Sequence, residues 1–142
     1  MACIHKETFD IYHNDQIIVP DGYFEIDEEI APAIQVLNRK GYITEYCCAG
    51  HPLTDWLMRS SKAEYEKSNV EPDSYILFKE GILLPTLPPG FFNDSSGMRL
   101  VIRKSHRYST YADNTFFGMS KHIVETMEQL YEWALNLPDF TS

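Results

Sequence analysis

Basic charge is scarce in this chain. Twelve Lys and Arg stand against 21 Asp and Glu, a formal net charge of -9. A general nucleic-acid binder neutralises phosphates with a basic surface, so that class is disfavoured from the outset. Arg99, Arg103, Lys104 and Arg107 fall close together, and they read as solvated charges at a strand end. Long apolar runs are also missing. None approaches the ~18 residues of a membrane span, so no membrane association is expected. The opening residues 1–7 lack a basic segment leading into an apolar one, and no secretory leader is expected. Cysteine is sparse and odd in number, three in 142 residues, with no Cys-x-x-Cys pair. A disulfide framework is therefore not expected, and reduced thiols in a cytoplasm fit better. There is no internal repeat, low-complexity run or linker.

What is present suffices for one core. An apolar share of 44% and an aromatic share of 13% argue against disorder. The length suits a single domain over residues 1–142. Residues 16–19 form a short apolar run ended by the turn signal Pro20-Asp21-Gly22 and read as a strand. Residues 28–40 read as a helix, because Ile30, Ala33, Ile34 and Leu37 recur at helical spacing. Pro32 belongs in its first turn, Asp27, Glu28 and Glu29 at its positive end, Arg39 and Lys40 at its negative end. Gly41 sits where a left-handed terminating residue is wanted. Residues 42–47 follow as a strand, so 16–47 predicts a strand, a crossover helix and a parallel strand. Strands are also predicted over 74–79 and 98–103, and a Pro-rich ordered loop over 81–90. Ser120 is placed to cap a helix over 121–137, with the stripe Ile123, Met127, Leu130, Ala134 and Leu137, ended by Pro138. Residues 53–72 read as a polar excursion. The expected fold class is α+β, a two-layer sandwich of one small mixed sheet of three or four strands against two long helices.

The chemistry concentrates in Cys47-Cys48-Ala49-Gly50-His51, a Gly-containing turn at the exit of a predicted strand. Thiols and an imidazole at such a place can hold a metal or act as nucleophile and base. For a metal, Cys48 and His51 have a spacing that wraps one tetrahedral ion, and Cys47 is a substitute ligand. Cys3 and His5 form a second Cys-x-His pair that would complete a zinc site if the N-terminal segment folds back. His13, His106 and His122 are further candidates. For catalysis without metal, a Cys47 or Cys48 thiolate would attack, with His51 or a distant histidine as base. The familiar cysteine loop of phosphatases sets an arginine six residues after its cysteine. Leu53 and Thr54 stand there, which disfavours that chemistry. Asp55 could orient a histidine, although a helix cap explains it as well. Ser105-His106-Arg107 follows a strand, where ligands often collect. The aromatics Tyr108, Tyr111, Phe116 and Phe117 read as cover for a core edge rather than a stacking surface.

The segment from Asn38 to His51 resembles a group of small, functionally uncharacterised proteins of Firmicutes-type bacteria and their phages. In those, a helix ending Asn-Lys-Lys-Gly-Tyr runs into a strand and a Cys-Cys-Ser-Gly-His turn. A later strand like 74–79, a loop like residues 87–91 and an early Cys-x-His are similar too. Ala49 stands where that pattern has serine. A second resemblance is to the tRNA wybutosine-synthesis methyltransferases, where a strand enters a Ser-Ser-Cys-Ser-Gly-Arg turn. Here the serines are replaced and His51 takes the place of the basic residue, so that resemblance bears on fold.

Three readings follow. The first is a small cytoplasmic protein holding zinc through Cys3, His5, Cys48 and His51, structural or catalytic. The second is a metal-free cysteine enzyme acting on a small molecule. The third is a non-catalytic, phage-derived interaction protein whose acidic surface or 53–72 excursion meets a protein partner. Exposed aromatics and a sheet edge would permit an oligomer.

Overall fold

The protein's structure, a computed structural model, describes residues 2–16, 18–50, 73–95, 99–106 and 116–141, with the backbone alone over 116–120. Among these residues the chain is α+β, with two helices and two antiparallel sheets. The elements in order are β1 (Ala2–His5), β2 (Ile11–His13), β3 (Tyr23–Ile26), α1 (Ala31–Arg39), β4 (Thr44–Cys48), β5 (Asp73–Phe78), β6 (Phe92–Asn93), β7 (Val101–Ser105) and α2 (Phe116–Asn136). The first sheet has the order β2-β1-β3 and the second β4-β5-β7-β6.

The single mixed sheet with a parallel crossover is therefore corrected. Residues 18–20 are not strand, and the strand before α1 is β3, which pairs with β1 in the first sheet. β4 opens the second sheet, so α1 joins two sheets and no parallel return is needed. The N-terminal segment, for which the sequence pattern predicts no element, supplies two strands. Ala2 and Ile4 face the core and are buried, as the twofold alternation of a strand requires. His5 closes the turn that follows: its Nδ1 accepts the backbone N–H of Glu7 (3.1 Å) and of Thr8 (3.0 Å).

α1 is shorter than its apolar period suggested, beginning after the turn that holds Glu28 and Glu29. Its end is as the sequence implies. Gly41 has φ +96°, its N–H bonds Asn38 O, and the next N–H, of Tyr42, reaches back to Leu37 O at 2.9 Å. These two bonds are the paired signature of a helix terminated by a left-handed glycine. Asn38 then ties α1 to β4. Its Nδ2 donates to Ile34 O and Thr44 Oγ1, and its Oδ1 accepts Thr44 N–H.

α2 buries Ile123, Met127, Leu130 and Ala134, and Leu137 just past its end is buried with them, the stripe read from the sequence. Its last turn leaves carbonyls without helical partners. Lys40 satisfies them, its Nζ donating to Ala134 O (3.0 Å), Leu135 O (2.6 Å) and Leu137 O (2.6 Å). Tyr42 Oη adds a bond to Pro138 O. One apolar cluster joins the inner face of the first sheet, α1, Ile76, Phe78 and Ile102 of the second sheet, and Met127, Leu130, Ala134 and Leu137 at α2. Among the described residues no helix is long and apolar enough to cross a membrane.

Candidate functional site

β4 carries the two adjacent cysteines to the end of the second sheet. Cys47 pairs with Ile76 and Cys48 with Tyr75. Ile76 is fully buried on the core face and Tyr75 lies on the other. Neighbouring strand residues alternate faces, so the two thiols point to opposite sides of the sheet. They are not substitutes for one another. Cys47 packs against the core cluster. Burial, with Asp27 and Cys48 adding to it, pushes its thiol up to about 12. At neutral pH it is a protonated thiol, a poor nucleophile. All three cysteines are free of disulfides.

The chain then turns inward over a buried polar group. Ser74 and His106 are both fully buried. They share the inner face with Ile76 and Ile102, because Ser74 pairs with Lys104 and Ile76 with Ile102. Ser74 Oγ donates to Ala49 O at 2.8 Å. His106 Nε2 lies 2.7 Å from Ser74 Oγ. The only hydroxyl proton is used on Ala49, so the imidazole supplies the other one. This fixes His106 as the Nε2–H tautomer and leaves a lone pair on Nδ1. That nitrogen faces His122 Nδ1 at 2.7 Å. The rings meet edge to face, with centroids 4.7 Å apart.

Gly50 lets the turn come this close. Its φ is +104°, and a Cβ there would sit 3.1 Å from His106 Cδ2 and 3.2 Å from Ser74 Oγ. A side chain would press on both partners and strain the backbone. Asp27 anchors the turn from the other side, its Oδ2 accepting Ala49 N–H at 3.0 Å.

The electrostatics keep both imidazoles neutral. Burial drives His106 down to about 3, with His122 and the Lys104 ammonium adding to it. His122 is lowered by burial and by Lys104. One turn further along α2, Thr126 is buried, and its Oγ1 has no hydrogen-bond partner among the described residues. The outer face of the sheet holds a separate ionic group. Arg103 reaches Asp73 Oδ2 (3.2 Å) and Asp94 Oδ2 (2.9 Å) and lies 5.1 Å over the Tyr75 ring.

The residues read from the sequence are thus dispersed. Cys3 is buried in the middle of the first sheet, between Tyr12 and Glu25. His5 is engaged in its turn, and Cys48 lies on the outer face of the second sheet. Among the described residues no three His, Cys, Asp or Glu side chains are grouped to hold a metal. His51, Asp55, Arg107, Tyr108 and Tyr111 and the 53–72 excursion lie outside the described residues, as do the side chains of Phe116 and Phe117. His13 is exposed, 3.9 Å from Glu28. Of the further histidines, His106 and His122 come together. Neither Ser74 nor Asp27 is among the site candidates that the sequence offers. Each carries an unremarkable local pattern, a strand start and a helix-flanking acid.

No family model, curated protein or solved structure matches this chain.

Proposed function

We propose that this chain binds a divalent transition-metal ion, zinc in the first instance, through the imidazoles of His106 and His122 beside the turn at residues 47–50. One observation carries the reading. A neutral, buried histidine is held by Ser74 and Ala49 in the tautomer that aims its Nδ1 lone pair at a second imidazole nitrogen. A ligating histidine whose other N–H is tied to a fixed acceptor is the usual arrangement around a protein-bound metal. Two nitrogens on one tetrahedral zinc ion lie about 3.3 Å apart. The 2.7 Å pair would open by roughly 0.6 Å, within reach of side-chain rotation.

The role that fits is structural. His106 follows β7 and His122 lies on α2, so one ion would fasten the helix to the end of the sheet. Cys3 and His5 do not enter the proposal. Lys104 opposes a cation here, and its removal should tighten binding.

The test is elemental analysis of untagged protein, followed by zinc titration of the chelated form. Near-stoichiometric zinc is expected, lost in His122→Ala and His106→Asn and kept in Cys48→Ser. Cobalt substitution should give a spectrum without a thiolate charge-transfer band. His51→Ala decides whether the turn's own histidine is a further donor. Folded protein that takes up no metal, or uptake indifferent to both His106→Asn and His122→Ala, would overturn the proposal.

A further inference from the structure

A second feature lies away from the imidazole pair. β3 is an edge of the first sheet and β4 an edge of the second. Between them runs a groove of about 360 Å³, lined by residues 24–27 and 44–47. Consecutive residues line it on both sides: Phe24 to Ile26 of β3 with Asp27 just past its end, and Thr44 to Cys47 of β4. A groove against one face of a strand would meet only every second residue. This one therefore runs along the strand edges, where backbone N–H and C=O groups point. Among the described residues β3 pairs with β1 alone and β4 with β5 alone. The Ala49 N–H to Asp27 bond bridges the two strands at one end.

The walls are acidic. Glu25, Asp27 and Glu45 line the groove, and among the described residues no Lys or Arg does. Glu45 is shared with Arg99, which reaches it at 2.5 Å. Tyr46, 66% exposed, supplies an aromatic surface on the β4 side. The two edges are not equivalent. β4 has a register shift between Thr44 and Tyr46, and such bulges discourage further pairing. β3 pairs with β1 in unbroken register.

We infer that this groove receives an extended, lysine- or arginine-rich segment of another polypeptide, added as a fourth strand to the first sheet along β3. Main-chain bonds to β3 supply the affinity, as in other cases of strand addition. Glu25 and Glu45 select for alternate basic side chains, and Tyr46 covers their aliphatic stems. At about 3.3 Å per residue, the four residues of β3 match four or five of the occupant. The inference uses neither His106 nor His122, so it stands or falls apart from the metal proposal.

The probe is a fluorescein-labelled hexapeptide of alternating lysine and valine, followed by anisotropy. Saturable binding is expected, weakened about tenfold by a proline at the centre of the peptide and abolished when glutamate replaces lysine. Glu25→Lys and Glu45→Lys should each weaken it by a similar factor, with Glu128→Lys on α2 as the control that leaves it unchanged. Circular dichroism establishes that the variants fold. Amide shifts confined to residues 23–27 and 44–48 would place the peptide. No saturable binding overturns the inference. So does equal binding of the proline peptide, which would mean charge attraction without strand pairing. A third overturning result is concentration-dependent dimerisation that Glu25→Lys disrupts and the peptide does not compete, which would give the groove to a second copy.

Discussion

Replacing Ser74 by alanine is the sharpest perturbation of the buried polar group. Ser74 Oγ is the shared partner of Ala49 O and His106 Nε2, at 2.8 and 2.7 Å, and all three residues are fully buried. Removing the oxygen strands one carbonyl and one imidazole N–H. Each buried group left without a partner costs about 1–3 kcal/mol. Partial relaxation brings the expected loss to about 2–4 kcal/mol, for a chain of this size a fall in Tm of roughly 6–15 °C. The assay is urea unfolding of chelator-treated protein, so that any metal contribution is absent from both sides. Ser95→Ala is the comparator. Its exposed Oγ accepts Val101 N–H at 3.1 Å, and its loss should stay within about 0.5 kcal/mol. Long-range nitrogen–proton spectra of the imidazoles supply the second reading. Native His106 should carry its proton on Nε2, and Ser74→Ala should release that preference. A loss below about 1 kcal/mol, or a native His106 protonated on Nδ1, would refute the reasoning.

Further perturbations test neighbouring parts. Gly50→Ala meets His106 and Ser74 at φ +104° and should cost about 2 kcal/mol in the same unfolding assay. Lys40→Met removes three bonds to the end of α2 and should cost about 2 kcal/mol, mostly recovered in Lys40→Arg; hydrogen exchange should rise first at residues 134–137. Cys47 should resist iodoacetamide at pH 8 relative to urea-unfolded protein, because its thiol titrates at about 12. The folded form holds that proton longer than the unfolded one, whose thiol titrates near 9.0, so stability is intact below pH 9 and falls as pH climbs towards 12. Equal labelling rates in the folded and unfolded forms would contradict the burial of Cys47. Lys104→Met should tighten zinc binding several-fold in a competition titration if the imidazole site holds a cation.

Periodicity and chain-breaking residues carried the local structure. The stripe from Ile123 to Leu137 marked the body of α2, although the helix begins at Phe116 and Ser120 lies inside it instead of capping it; Gly41 marked the end of α1, and the apolar run at 74–79 marked β5. These signals are local, because a helix turn or a left-handed glycine is decided by neighbours within five residues. The Cys-Cys-Ala-Gly turn was legible in the same way, and Gly50 does bring it against a polar group. The first sheet was not legible. β1 and β2 are four and three residues long, too short to show a period, and their pairing depends on a turn held by the His5 ring. A strand, a helix and a strand in sequence also look alike whether they close one parallel sheet or link two antiparallel ones.

Residue types alone therefore determined that this chain has an α+β core, an acidic surface and a thiol-rich turn at a strand exit. Which side chains meet there was decided by tertiary structure. Cys47 and Cys48 are adjacent in sequence yet face opposite sides of a sheet, because β5 fixes their register. Ser74, His106 and His122 are 32 and 16 residues apart yet form one hydrogen-bonded line, because β7 and α2 bring them to the same buried end. Pairing across strands and packing of a helix on a sheet are long-range choices, and the chemistry of this site follows from them.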